Sequence, residues 1–177
     1  MKSKILALFA ATLVAVAGPA LADKTTGEHI DDGTITSEVK AGLVGAKDVP
    51  SSDINVEVYK GQVLLSGFVT KPEQKTAAEG VAKGAKGVTK VHNKLIVHPA
   101  TSMGSKLDDT VLVGKVKAAL IDEKEVDGGA INVEARDSIV QLGGFVAGEG
   151  AKKRALDVAK GVKDVKKVED GLVVKPK

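Results

Sequence analysis

The sequence predicts an α+β protein of two tandem modules, each with the element order α-β-β-α-β and a three-stranded mixed sheet that carries two helices on one face. Residues 31–99 align with residues 108–176 after a shift of 77 positions without a gap, and 30 of the 69 pairs are identical. Each repeat alternates helical and strand periodicity in that order. Because this period exceeds that of solenoid repeats, two compact domains are expected.

The N-terminal 22 residues have the composition of a secretory signal peptide. Lys2 and Lys4 form a positive n-region, and residues 5–18 are almost wholly apolar. Small residues precede the predicted cleavage site after Ala22, and we expect residues 23–30 to be flexible and polar. A permanent membrane anchor would need a longer apolar span. We therefore predict a periplasmic protein with no transmembrane segment after cleavage.

Each repeat opens with an amphipathic helix. Apolar residues recur at four-residue spacing in both copies, which predicts one buried stripe per helix. Asp32 and Asp109 precede the stripes and are expected to cap the helices. The stripes are Ile35, Val39 and Leu43 in the first copy and Leu112, Val116 and Leu120 in the second.

Two strands joined by a tight turn are expected next. Ile54, Val56 and Val58 alternate with polar residues, which is the period of a half-buried strand. The dipeptide Lys60-Gly61 turns the chain into the second strand, and Asp137-Ser138 stands there in the second copy.

A second helix and a final strand complete the repeat. Thr70 and Glu73 have the spacing of a capping box for a helix with an alanine- and valine-rich core face. Pro99 ends the last strand, and residues 100–107 are a small, polar predicted linker. The predicted domains are residues 31–99 and 108–177.

A sheet covered by helices on one side leaves its other face open. Apolar side chains alternate away from the helices in both copies, and such patches often mark interaction sites. Two interpretations stay open: these faces dock a partner, or the two domains cover each other's faces. The residues predicted to face a partner are Leu64, Phe68 and Ile96 in the first copy and Ile139, Phe145 and Val173 in the second.

A spaced pattern of apolar residues and glycines runs through both copies. The first copy reads Asp32-x-x-Ile35-x-x-x-Val39-Lys40, then Gly61-x-Val63-x-Leu65-x-Gly67-x-Val69, then Gly87-Val88-x-x-Val91. This pattern resembles the BON (bacterial OsmY and nodulation) domain, and the two copies together cover almost all of the mature chain. The second copy departs from it where Asp164 replaces the glycine at Gly87 and where Asp137-Ser138 forms the turn.

The resemblance implies an α-β-β-α-β fold, no enzymatic activity and a role in envelope upkeep under osmotic or other stress. Members of the family are associated with phospholipid head groups or with chaperone-like assistance to exported proteins. The resemblance brings no functional residues with it.

Charge limits the classes of partner. Without Lys2 and Lys4, 24 basic residues face 23 acidic ones, which argues against nucleic-acid binding. Within each repeat the second helix and last strand are basic, and their lysines are expected to meet anionic phospholipid; an ordinary solvated surface is the alternative. The predicted lipid-facing residues are Lys152, Leu156, Lys160, Lys163, Lys166 and Lys167.

The sequence contains no recognisable catalytic or metal-binding pattern. The chain has no cysteine, which excludes disulfides and thiol chemistry. His29, His92 and His98 have no counterpart in the other copy and no helical pairing, so no metal or cofactor is predicted. We therefore expect a non-enzymatic protein that binds anionic phospholipid or unfolded exported clients. The alternative is a structural adaptor that docks folded envelope proteins through the open sheet faces.

Overall fold

The computed structural model describes residues 24–100 and 103–177, so the predicted signal peptide and its cleavage site lie outside the described residues. The predicted order of elements is confirmed in both modules. The first module contains α1 (Lys24–Gly45), β1 (Ile54–Tyr59), β2 (Gln62–Val69), α2 (Pro72–Gly84), β3 (Lys90–Asn93) and β4 (Ile96–Val97). The second contains α3 (Met103–Asp122), β5 (Asn132–Arg136), β6 (Ile139–Val146), α4 (Glu149–Gly161) and β7 (Lys167–Val174).

Each module has a mixed sheet whose long middle strand pairs on both sides. β2 is antiparallel to β1 and parallel to β3 and β4, while β6 is antiparallel to β5 and parallel to β7. The last strand of the first module is interrupted at Lys94 and Leu95. There the Asn93 side chain accepts the Leu95 N–H, and the Lys94 carbonyl accepts a hydrogen bond from Gln141 of the second module.

A separate apolar core lies between the helices and the sheet of each module. The predicted stripes are confirmed, since Val39 and Leu43 of α1, like Val116 and Leu120 of α3, are at most 1% exposed. α2 and α4 contribute fully buried alanines, whose small side chains let a helix approach the sheet closely.

The two sheets pack against each other with the faces that their helices leave free. β2 contacts β6 most extensively, and β1 contacts β6. Leu64, Phe68 and Phe145 are therefore buried, with exposures of 0, 3 and 5%. The result is a four-layer arrangement with both sheets inside and all four helices outside. We call the contact between the two sheets the seam.

Two predicted loops are helical where the structure describes them. α1 begins at Lys24, within the stretch expected to be flexible, and α3 begins at Met103, within the predicted linker of residues 100–107. Both expectations took polar composition as a sign of a loop. No proline follows in either stretch, and Ser, Thr, Lys and Glu are tolerated in helices, so the helices extend.

Asp32 and Asp109 are not helix caps, because both lie inside their helices and brace the hairpins instead. The Asp32 carboxylate accepts the backbone N–H groups of Lys60 and Gly61, both at 2.8 Å. Asp109 accepts those of Asp137 and Ser138 at 2.8 and 2.9 Å. All four turn residues have positive φ, as a two-residue type I′ hairpin requires. The unusual turn of the second copy thus keeps the geometry of the first.

The α2 cap uses a different residue from the one predicted. The helix begins at Pro72, and the side chain of Gln74, rather than Glu73, accepts the N–H groups of Thr70 and Lys71 at 2.8 and 3.1 Å. A one-residue shift in the helix start accounts for the difference.

Candidate binding surfaces

The outer side of α3 carries an exposed apolar stripe that the sequence-based interpretation missed. Leu107, Val111 and Ile121 are exposed by 72, 59 and 62%. With exposed Gly114 and Ala118 between them, they follow helical three- and four-residue spacing. We call these five residues the α3 stripe.

The α3 stripe lies opposite the buried residues of the same helix. At about 100° per residue, Val111 and Ala118 fall roughly half a turn away from Val116 and Leu120. α3 is therefore apolar on two sides, of which only one packs on the core. The spacing is present in the sequence, but the predicted linker of residues 100–107 contains Leu107, so the prediction leaves out the first residue of the stripe.

Charged residues border the α3 stripe. Exposed Lys106 and Lys117 follow one edge. On the other edge, which also carries Asp108 and Asp122, Lys115 pairs with Asp164 at 2.9 Å. These borders make the surface amphipathic, with unpaired positive charge concentrated on one side.

α4 lies beside α3 in the same outer layer. Two ion pairs connect these elements: Lys115 of α3 with Asp164 just after α4 at 2.9 Å, and Glu123 just after α3 with Arg154 of α4 at 2.6 Å. The residue that comes earlier along α3 pairs with the residue that comes later along α4, so the two helices run antiparallel. The contact to Arg154 also holds the pKa of Glu123 below its ordinary value.

The structure divides the predicted lipid-facing residues into two groups. The Lys152 ammonium lies 2.8 Å from the Asp170 carboxylate and donates to the Leu172 carbonyl, which ties it to β7. Leu156 is half-buried and packs on the core of the second module. The other four lysines are exposed: Lys160, Lys163, Lys166 and Lys167.

Within residues 31–45, the positions of α1 that correspond to the α3 stripe are less apolar. Thr34, Ser37 and Ala41 of α1 stand where α3 has Val111, Gly114 and Ala118. Val44, exposed by 74%, is the counterpart of Ile121. The α3 stripe therefore distinguishes the second module from the first.

The residues predicted to face a partner line the seam. Leu64, Phe68 and Phe145 are buried there, and Ile96, Ile139 and Val173 are half-buried. The interpretation in which the domains cover each other's faces therefore describes the folded chain. A partner could reach the three buried side chains only after the sheets separate.

One buried amide joins the two modules. Gln141, 2% exposed, accepts the Gly67 N–H and donates to the Lys94 carbonyl, both at 2.6 Å. All its polar bonds run to the other module. Sequence reasoning missed this residue because a lone glutamine on an alternating strand resembles a solvated position.

Amide–carboxylate pairs cross the seam twice. Asn55 donates to Glu134 at 2.9 Å, and Asn132 donates to Glu57. Burial raises the pKa of Glu57, and the bond from Asn132 offsets part of that rise. The seam thus combines apolar packing with satisfied polar contacts.

Residues 24–100 and 103–177 show neither a metal-ligand cluster nor a membrane-crossing helix. No group of three or more His, Cys, Asp or Glu side chains in these ranges could hold a metal ion. No helix formed by them is long and apolar enough to span a bilayer. His92 lies against Phe145, and its pKa is lowered by burial and by Lys90 and Lys94.

Comparison with known proteins places both modules in one family. The model of the BON domain matches residues 31–99 and 108–176. Osmotically-inducible protein Y of Escherichia coli (strain K12) is 39% identical over 151 residues, covering 84% of this chain and 75% of that protein. Outer membrane lipoprotein DolP of Haemophilus influenzae is 33% identical over 146 residues, covering 82% and 75%.

Two further matches are more distant. The 21 kDa hemolysin of Actinobacillus pleuropneumoniae is 28% identical over 148 residues, covering 82% of this chain and 75% of that protein. A solved structure of CdsD, a structural protein of the Chlamydia trachomatis type III secretion system, aligns with a TM-score of 0.34 and 11% identity. That alignment covers 80% of this chain and 92% of CdsD.

Proposed function

The chain belongs to the BON-domain family, and from this premise we propose that it is a non-catalytic periplasmic protein that binds anionic phospholipid surfaces through the outer side of its second module. Relatives named for osmotic induction and for the outer membrane support a role in the cell envelope. The observation that carries the proposal is the exposed α3 stripe bordered by lysines.

The α3 stripe has the chemistry of an interfacial helix. Leu107, Val111 and Ile121 would enter the boundary between head groups and acyl chains, while the polar edges stay at head-group level. Burying one such side chain contributes about 1.5–3 kcal/mol, and each lysine near an anionic surface about 1 kcal/mol. Because α3 is already fixed on its core, little conformational entropy is lost on binding.

Exposed lysines of α4 and the following loop extend the positive charge. Lys160 and Lys163 are exposed, and the ion pair of Lys160 with exposed Asp157 at 3.8 Å is weak in water and leaves the ammonium able to reach a membrane surface. Leu156, by contrast, packs on the core of the second module, so the apolar contact with lipid is assigned to α3. The proposal therefore keeps the predicted partner and moves its apolar contact to the neighbouring helix.

Binding of unfolded clients or folded partners through the sheet faces is less well supported. Leu64, Phe68 and Phe145 are covered in the folded chain, and hydrogen bonds hold the two sheets together. Such binding would first require separation of the seam, whereas the α3 stripe is accessible as it stands.

Vesicle co-sedimentation tests the proposal. The chain from residue 23 onward is mixed with phosphatidylcholine vesicles that contain either no phosphatidylglycerol or one third of it. We expect binding to the anionic vesicles and about 100-fold weaker binding for the double variant Val111→Glu and Ile121→Glu, since two such contacts contribute roughly 3 kcal/mol.

The matched control is the double variant Thr34→Glu and Val44→Glu, which introduces the same charge at the two equivalent, exposed positions of α1. It should bind like the wild type. Equal binding to neutral and anionic vesicles would refute recognition of anionic phospholipid. Full binding by the double variant at Val111 and Ile121 would refute the role of the α3 stripe in that binding. The double variant Lys160→Glu and Lys163→Glu measures how much α4 and the following loop contribute to binding.

A further inference from the structure

The polar contacts of the seam are reciprocal. Asn55 and Asn132 occupy the same position of the two modules, as do Glu57 and Glu134. Asn55 bonds Glu134, and Asn132 bonds Glu57, so each module supplies the same donor and the same acceptor. Such reciprocity is the signature of an isologous, two-fold interface.

The aromatic contacts obey the same symmetry. Phe68 and Phe145 are equivalent positions, and so are Tyr59 and Arg136. The Phe145 ring lies 5.7 Å from the Tyr59 ring, and the Phe68 ring lies 5.3 Å from the Arg136 guanidinium. Each phenylalanine thus packs against the same strand position of the other module, although that position carries different side chains.

The two-fold axis passes close to Ser66 and Gly143. These residues are also equivalent, and they face each other directly, since a Cβ added to Gly143 would lie 2.8 Å from the Ser66 Cβ. Only residues near the axis meet their own counterparts in a two-fold interface. Small side chains are required there to let the sheets approach.

A short motif encodes this complementarity. Ile-Asn-Val-Glu occurs at residues 54–57 and again at 131–134, and its Asn and Glu point to the same face because they are two positions apart on a strand. When two such faces meet after rotation by a half turn, the Asn side chain of each face can donate to the Glu side chain of the other. The seam is therefore self-complementary.

We propose that the seam face recognises a second copy of this chain: when the sheets of one molecule separate, its first module pairs with the second module of another molecule. The resulting exchanged dimer contains two seams with the same contacts as the monomer. The two linked modules of one molecule have an effective concentration of about 1 mM for each other, so the monomer dominates in dilute solution. Exchange becomes populated at high local concentration or on refolding.

Complementation between two full-length variants tests this pairing. Ser66→Arg places a large charged side chain in the seam face of the first module only. Gly143→Arg does the same in the second module only. Neither chain can close its own seam, but together they supply one intact first module and one intact second module. We expect an affinity-tagged Ser66→Arg chain to capture untagged Gly143→Arg in an equimolar complex, measured in lipid-free buffer by pull-down and light scattering.

Two controls make the result specific. Tagged Ser66→Arg should not capture untagged Ser66→Arg, because two second modules offer Gln141 no interrupted strand such as the one at Lys94 of a first module. Thr76→Arg, on the exposed side of α2, should give no complex with either variant. Capture in these controls, or no capture in the complementary mixture of folded variants, would overturn the proposal. Circular dichroism verifies that the variants are folded.

The wild-type chain provides a second measurement if a variant fails to fold. Refolding from urea at about 1 mM, near the effective concentration of the linked modules, should yield dimer and monomer in comparable amounts, with unchanged circular dichroism. The same treatment at a concentration about 100-fold lower should yield monomer. Monomer alone at both concentrations would refute exchange, and neither experiment depends on phospholipid binding.

Discussion

The side chain of Gln141 accepts the backbone N–H of Gly67 across the seam at 2.6 Å. The same amide donates to the Lys94 carbonyl at the point where the last strand of the first module is interrupted. The equivalent residue of the first module is Leu64, which is fully buried. One polar side chain thus satisfies two backbone groups of the opposite module, and its counterpart only fills space.

Gln141→Leu should destabilise the protein although it makes the seam more apolar. The substitution leaves the Gly67 N–H and the Lys94 carbonyl without partners, at about 1–3 kcal/mol for the buried N–H and about 1 kcal/mol for the half-buried carbonyl. Urea denaturation should show a loss of roughly 2–4 kcal/mol. Gln62→Leu is the control, because that half-buried side chain bonds only His92. A stability gain for Gln141→Leu would show that the amide is dispensable.

Asp109→Asn should weaken the second hairpin. An amide can accept only one of the two turn N–H groups and presents its own N–H₂ to the other, so a charge-assisted bond of about 1.5–3 kcal/mol is lost. Asp108→Asn, at the exposed neighbouring position, should leave the urea midpoint unchanged. Equal midpoints for the two variants would contradict the brace.

Two glycines of the first module should respond oppositely to alanine. Gly80 lies in α2 with nothing within 4 Å of an added Cβ, so Gly80→Ala should stabilise by about 0.5–1 kcal/mol. Gly42 lies in α1, where an added Cβ would come within 2.6 Å of a Val81 methyl group. Gly42→Ala should therefore lower the midpoint of thermal denaturation, because the Val81 side chain must shift to admit the added Cβ. A rise of both midpoints would contradict this assignment.

Glu57→Gln should change how stability depends on pH. Because burial raises the pKa of folded Glu57, its contribution is fully present below the unfolded pKa and is lost as pH rises through the folded pKa. The variant can still accept the hydrogen bond from Asn132 but does not ionise. Its unfolding free energy relative to that of the wild type should therefore rise as the pH increases from about 4 to about 7.

Glu79→Gln is the comparison of opposite sign. Hydrogen bonds from Lys83 and Asn93 lower the pKa of Glu79, so its contribution is present above the unfolded pKa and lost on acidification. This variant should be less stable than the wild type at neutral pH and converge with it in acid. Parallel pH profiles for both variants would contradict the assigned causes.

Periodicity and the internal repeat predicted the fold because both report on burial. The stripe through Val39 and Leu43 and the alternation that sets Phe68 and Phe145 apart follow from side-chain direction alone. What covers the alternating face does not follow from periodicity. Asn55 and Glu57 are typical of a solvated strand, yet here they bond another module.

The binding surface was harder to predict than the core. Leu156 stands among lysines in the sequence and suggested a membrane contact, but α4 turns it toward its own core. The exposed residues of α3 went unnoticed because the helix begins earlier than its polar first turns suggested. Both differences arise where a helix has apolar residues on more than one side.

The four-layer arrangement puts α1 and α3 on opposite outer faces of the molecule. A chain resting on lipid through α3 would turn α1 toward the aqueous compartment. The two copies of the repeat would then face different surroundings. Thr34 and Ser37 of α1, which stand where α3 has Val111 and Gly114, are polar, as expected for a helix that faces water. The outward helices would then diverge in polarity, as they do at these positions, without disturbing the reciprocal Asn–Glu contacts between the sheets.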